Sequence, residues 1–377
     1  MRLCIVSPFQ EGGGAEYQIQ LLIDALLRQH RIQIFHLVHH VSSIARPDGY
    51  RIVPIGKATR TPLLGYVMDF VPLYRALCQI QPQVIYQRVG CGYTGVCALY
   101  ARRRRARLIW HVSHDTDVMP RSLDTGRNLL RRRLEKWSIE LGIHWADRIV
   151  VQTQHQRDLL SRHYGRQDAE VIANFHADAQ EQLTKTMAPT VVWIANLKPW
   201  KRPEVFVRLA SRVGERTGAQ FIMMGEAPSG PKHSPWLESL QRSIATTPAL
   251  RFLGRQTQEQ VNELLARAWV LVNTSLHEGF PNIFIQAWLR DTVVVSLDVD
   301  PDHILERESI GMHAGSEERL AESVHRLLTD HSLRASYAKH ARDYARATHS
   351  LNNANRLIQL IENCAGADSS VAGALSC

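Results

Sequence analysis

Four stretches hold residue types whose spacing suits the recognition of a phosphorylated, polar ligand. The most informative is Ser275-Leu276-His277-Glu278-Gly279-Phe280-Pro281-Asn282, followed by Gln286 eight positions after Glu278. A carboxylate in a glycine-containing loop stands before Pro281, a residue suited to open a helix. Glu278 from the loop and Gln286 from that helix can then reach one ligand, and the helix start favours an anion. A second stretch, Asn196-Leu197-Lys198-Pro199-Trp200-Lys201-Arg202, offers three cations for phosphate oxygens. A third, Gly12-Gly13-Gly14-Ala15-Glu16, allows close backbone approach at a helix start, but it lacks the spacing of a dinucleotide fingerprint and the lysine of a P-loop. The fourth, His111-Val112-Ser113-His114-Asp115-Thr116-Asp117, contains potential metal ligands. Strand alternation points His111 and Val112 to opposite faces, and no further cluster completes a shell. A histidine bonded to a polar substrate fits better, with His114 the better placed, and no metal site is expected.

Elements that alternate along the chain must position these residues. Apolar runs at 3–7, 32–38, 84–87, 108–112, 148–151 and 170–172 read as strands, with helical periodicity between them. The pattern restarts at 190–195 and continues through strands at 220–224, 251–252, 270–273 and 293–297, and then helices only. Continuous apolar strands separated by helices imply parallel sheets covered on both faces. The division expected is a first domain at 1–175, a linker at 176–189, a second domain at 190–349, a helix at 350–365 packing back on the first domain, and a frayed tail at 366–377. In open α/β sheets ligands bind at the carboxyl ends of the strands, where all four stretches fall. A cleft between the two domains is therefore the natural site.

The composition agrees with a two-domain α/β chain. It has 377 residues and 45% hydrophobic content, which suits two domains with their own cores. No apolar window approaches a membrane span, and the apolar start is too short for a signal peptide, so a secreted or transmembrane protein is disfavoured. Six scattered cysteines without a paired motif read as reduced thiols in the cytoplasm. Of the net charge of +9, a surplus of +7 falls between Ala101 and Trp137, including Arg102, Arg103, Arg104, Arg105, Arg107, Arg131, Arg132 and Arg133. Such a patch attracts an anionic membrane leaflet. It lacks the interleaved aromatics of a nucleic-acid surface, so nucleic acid is not expected as a partner.

Together these segments carry a resemblance. The Glu278-Gly279-Phe280-Pro281-Asn282 segment resembles the E-x7-E region of retaining family 4 glycosyltransferases, which have the GT-B fold. Gly12–Glu16, Ala146-Asp147-Arg148, Val171-Ile172-Ala173-Asn174, Ile194–Lys201, Met224-Gly225-Glu226 and Phe252-Leu253-Gly254 resemble further segments of that family in the right order.

The resemblance implies two Rossmann-like α/β/α domains facing across a cleft and a nucleotide-diphospho-sugar as co-substrate, with no cofactor and no metal. By the same resemblance Lys201 grips the donor diphosphate, Glu278 contacts the transferred sugar, and Gly279, Phe280, Pro281 and Asn282 reach sugar and phosphates. Gly13 and Gly14 face the pyrophosphate, and His114 lies near the sugar. There are two departures. Asn196 stands where the family has arginine, a loss that Lys198 or Arg202 would make good. Gln286 stands where a second glutamate accepts from the ribose, and its carbonyl can still accept one hydrogen bond.

The implied activity is sugar transfer to a glycan or lipid-linked acceptor, in a cytoplasmic protein peripheral to the inner face of the membrane. The alternatives are a nucleotide-sugar epimerase on the same fold and a catalytically weak, nucleotide-sugar-binding scaffold subunit.

Overall fold

The computed structural model describes residues 1–8, 13–28, 32–39, 48–56, 69–120, 129–179, 185–227 and 235–366. Gly12, Arg121, Arg127 and the tail 367–377 lie outside them, as does the Arg131 side chain.

Among the described residues, thirteen short strands form two wholly parallel sheets. The first contains β1 (Arg2–Val6), β2 (Gln33–Val38), β3 (Tyr50–Pro54), β4 (Val84–Arg88), β5 (Arg107–His111), β6 (Arg148–Val151) and β7 (Glu170–Val171), in the order β3-β2-β1-β4-β5-β6-β7. The second contains β8 (Thr190–Ile194), β9 (Gln220–Met224), β10 (Leu250–Phe252), β11 (Val270–Asn273), β12 (Val293–Ser296) and β13 (Gly311–His313), in the order β10-β9-β8-β11-β12-β13. Each order reverses beside its first strand, which is the switch point of a doubly wound sheet.

Strand alternation sends neighbouring residues into different cores. In β1, Cys4 and Val6 join the core under the helices Phe70–Ile80, Tyr93–Arg104 and Leu129–Trp145. Leu3 and Ile5 enter the core on the opposite face with Ile19, Leu22 and Leu26. The same opposite-face core takes in Leu357, Ile358 and Ile361 from the helix Asn352–Gly366, so unit 1 comprises Met1–Phe175 together with the chain from Leu351. Unit 2 is His176–Ser350. It too has a core on each face of its sheet, one around Phe206, Phe221 and Leu327 and the other around Phe284, Trp288 and Leu305.

Several elements went unread in the sequence. The edge strands β3 and β13 were missed, as was the helix Tyr93–Arg104, which is buried at eight of its first nine residues and so carries no apolar stripe. The described residues of the 176–189 stretch pack inside unit 2. Lys185 Nζ donates to the carbonyls of Leu265, Ala268 and Arg290 and to Thr292 Oγ1 at 2.6–3.3 Å.

Candidate functional site

The loops after β8 and β11 are tied into one structure in unit 2. Thr274, directly after β11, donates through Oγ1 to the carbonyls of Lys201 and Arg202 at 2.6 and 3.0 Å. Trp193 Nε1 of β8 donates to the same hydroxyl at 2.9 Å, and Arg202 Nε returns a bond to the Thr274 carbonyl at 2.8 Å. The amide of Leu276 adds a bond to the Trp200 carbonyl at 2.9 Å. These contacts bring Lys201 and Glu278 together as an ion pair across 77 residues of sequence, with each side chain more than four-fifths buried.

Arg202, expected among the phosphate cations, is engaged elsewhere. Its guanidinium pairs with Asp298 as well as with Thr274, and its backbone is left-handed at φ 47°, ψ 54°. A non-glycine residue in that region costs about 1–2 kcal/mol, which these bonds offset while fixing the turn that presents Lys201. Lys198 lies over the Trp200 ring at 5.0 Å. Asn196 follows β8 in a segment whose neighbouring amides, Ala195 and Leu197, bond to the carbonyls of Met224 and Glu226. Gly225 sits between those two bonds. A Cβ there would collide with the Ala195 carbonyl and lie 3.5 Å from Asn196 Cα.

The glutamate loop is backed from behind. Gly279, Phe280 and Pro281 are buried, and the helix Asn282–Trp288 begins directly after them. Phe280 packs on His349 with ring centroids 4.6 Å apart, and the His176 amide donates to the His349 carbonyl at 2.9 Å. The His176 ring, hydrogen-bonded to Asn282, is pushed down to about 3 by burial and by neighbouring His349, so it stays neutral at ordinary pH.

Gln286 Oε1 accepts from Gln258 Nε2 at 3.1 Å, which leaves its second lone pair and the Nε2 group engaged by no described residue.

In unit 1 the remaining residues also follow strand ends. Gly13 precedes the helix Gly14–Leu27, and a Cβ on Gly13 would meet the Glu16 carboxylate. His114 caps the short helix Asp115–Val118, its Nδ1 accepting from the Thr116 amide at 3.2 Å. His111 is buried, with Nδ1 2.6 Å from the Tyr86 hydroxyl, and burial holds it well below the usual imidazole range. Asp115 accepts from Gln156, and Asp117 accepts from the amides of Ser113 and His114, so the carboxylates of this stretch serve the turn. Asp300 likewise accepts from the Leu305 amide.

Sequence reasoning missed the residues that hold the site. Thr274, Asp298 and Gln258 carry only the weak signal of standing at or near a strand end or helix start. A buried set in unit 1 gave none. Arg88, 1% exposed, donates to Ser113 Oγ at 3.1 Å and to Asn174 Oδ1 at 2.7 Å, which ties the His114 loop to the segment after β7.

Comparison with known proteins adds a family. The model described as "Glycosyltransferase Family 4" matches residues 12–177, and "Glycosyl transferases group 1" matches residues 188–330. A D-inositol 3-phosphate glycosyltransferase of Salinispora arenicola is 27% identical over 164 residues, which is 41% of this chain and 37% of that protein. The chain thus aligns with little more than a third of the curated relatives' length. Among solved structures, a sucrose-phosphate synthase from Thermosynechococcus elongatus is similar with a TM-score of 0.79 at 15% identity, covering 97% of this chain and 99% of the other. The Anabaena HepE protein in complex with UDP and glucose gives a TM-score of 0.74 at 16% identity, covering 95% and 98%. At these identities the two structures speak to the fold, which is GT-B.

Proposed function

Because the chain belongs to the group 1, family 4 glycosyltransferases, we propose that it is a retaining glycosyltransferase that moves a sugar from a nucleotide-diphospho-sugar to a lipid-linked or envelope-polysaccharide acceptor without a metal ion. The observation that carries this reading is the stapled Lys201–Glu278 pair. A cation and a carboxylate held side by side suit a ligand that presents a diphosphate beside sugar hydroxyls. Lys201 turns to the diphosphate and stabilises the charge that develops as the glycosidic bond breaks. Glu278 accepts from sugar hydroxyls and orients the ring. The departing phosphate oxygen takes the acceptor's proton on the face it leaves. The UDP complex of the Anabaena relative supports a nucleotide-sugar donor.

Calorimetric titration with UDP, GDP, ADP and dTDP, without metal and then with Mg²⁺, tests this. One nucleotide is expected to bind tightly, with an affinity that Mg²⁺ leaves unchanged. Absence of binding by all four would overturn the donor site and favour the scaffold reading, with Asn196 and Gln286 as its signs.

The acceptor class rests on a surface of unit 1. Arg102, Arg103, Arg104 and Arg105 are exposed at the end of the helix Tyr93–Arg104. On the helix Leu129–Trp145, Arg132 and Arg133 are exposed beside Leu134 at 38% and Trp137 at 60%. Arg107 departs from the patch, since it pairs with Asp147 at 2.9 Å. Cations flanking an exposed indole suit an anionic lipid surface, at about 1 kcal/mol per basic residue. Among the described residues no helix is long and apolar enough to cross a membrane. At low salt the protein is expected to sediment with anionic vesicles and not with neutral ones, and Arg132→Glu/Arg133→Glu to lose most of that binding. Equal sedimentation with both vesicle types would remove the membrane from this account.

A further inference from the structure

A cavity lies at the amino-terminal edge of the unit 2 sheet, the edge opposite Lys201 and Glu278. Its volume is about 390 Å³, within the range of small-molecule sites. Lys185 precedes β8, Trp269 precedes β11 and Asp291 precedes β12, while Arg334, Lys339 and Arg342 come from the helix His331–Thr348. Strands of four or five residues at ~3.3 Å each put the two edges of the sheet roughly 15 Å apart.

The charge lining this cavity is one-sided. Four of its side chains are Lys or Arg and one is a carboxylate, and that carboxylate, Asp291, is taken by Arg342 Nη1 at 2.6 Å. Lys185 spends its N–H groups on the oxygens already described, so it contributes field rather than a hydrogen bond. The Arg334 guanidinium lies over the Trp269 ring, 3.8 Å from its centroid, and gives one N–H to the Leu327 carbonyl at 2.6 Å. Arg342 Nε is buried and donates to no described residue. The Arg342 side chain as a whole is 23% exposed, and its Nη2 donates to no described residue, so it keeps N–H groups for an anion in this positive field. Ala335, Ala338 and the Trp269 edge supply apolar walls for an organic body.

We propose that this cavity binds a small phosphorylated metabolite, its phosphate facing Arg342 Nη2 and Lys339 and its body resting on Trp269 and Ala338. The two positive charges left once Arg342 pairs with Asp291, on Arg334 and Lys339, suit a phosphate dianion better than a single carboxylate. The electrostatics of the lining agree with an anion here. Burial pushes Lys185 down to about 7, and burial likewise pulls Arg334 below the usual guanidinium range. A bound anion relieves both.

The test separates this cavity from the donor site. Calorimetry of the full chain carrying Lys201→Ala, with glucose 6-phosphate as probe, is expected to show saturable one-to-one binding of the same affinity as in the unaltered protein. Arg342→Gln and Lys339→Glu are each expected to weaken it at least about tenfold. Lys339 is exposed, so that variant keeps its fold even if loss of the Asp291 partner unsettles the other. Absence of saturation, an affinity unchanged in both cavity variants, or binding lost with Lys201 would each overturn the proposal. Inorganic phosphate binding as tightly as the sugar phosphate would overturn the metabolite and leave a free-phosphate site.

Discussion

Lys201→Ala and Glu278→Ala are each expected to lower sugar transfer by about two to three orders of magnitude, the loss typical when one preorganised electrostatic partner is removed. Both proteins should remain folded, because the two loops are held by Thr274, Trp193 and Leu276 rather than by the ion pair. The two losses differ in kind. Without Lys201, the Glu278 carboxylate faces the donor diphosphate unneutralised, so nucleotide affinity and turnover fall together. Without Glu278, Lys201 still meets the phosphates, so nucleotide binding persists while turnover falls. Initial rates with donor and acceptor, together with nucleotide titrations and circular dichroism of each variant, make the comparison. Unimpaired transfer by either variant would sink the assignment of the site.

Gly225→Ala is the second large effect. The glycine has no unusual backbone angle among those that demand glycine, so the constraint is space: a Cβ would strike the Ala195 carbonyl. The clash falls between the two bonds that join 195–197 to 224–226, which position the start of the Lys201 segment. Relief requires the segments to part, at about 2–3 kcal/mol for an overpacked site. The expected result is a lower urea midpoint together with a donor KM raised at least about tenfold, as the displaced loop misplaces its cation. A variant with unchanged stability and unchanged donor KM would show that the two segments are not paired in solution.

Elements buried on both faces were legible in the sequence because nothing interrupts their apolar runs. β1, β5, β8 and β11 read directly in this way, and the loops after β8 and β11 stood out through lysine, glycine and proline. β3 did not, because an edge strand carrying Arg51 and Pro54 is half exposed and resembles a loop. The helix Tyr93–Arg104 fails for the opposite reason, since Tyr93, Gly95, Cys97 and Tyr100 all face protein and leave no polar side to set a period. At the site, the types of Lys201 and Glu278 were readable, but their pairing was not. Nothing local joins residues 77 positions apart, or Arg88 to Asn174 across 86. The misreading of Arg202 has the same cause, because its partner Asp298 is 96 residues away.

The composition of unit 1 sets an order on its synthesis. The helix that closes one of its two cores, Asn352–Gly366, leaves the ribosome only after all of unit 2. Unit 2 is contiguous and can condense as soon as it has emerged, since domains fold as units. Until then the first 175 residues must wait with Leu3, Ile19, Leu22 and Leu26 lacking the surface of Leu357, Ile358 and Ile361 that finally covers them. The half made first is therefore the half finished last, and a nascent chain halted anywhere before residue 352 exposes an apolar face for chaperones to guard.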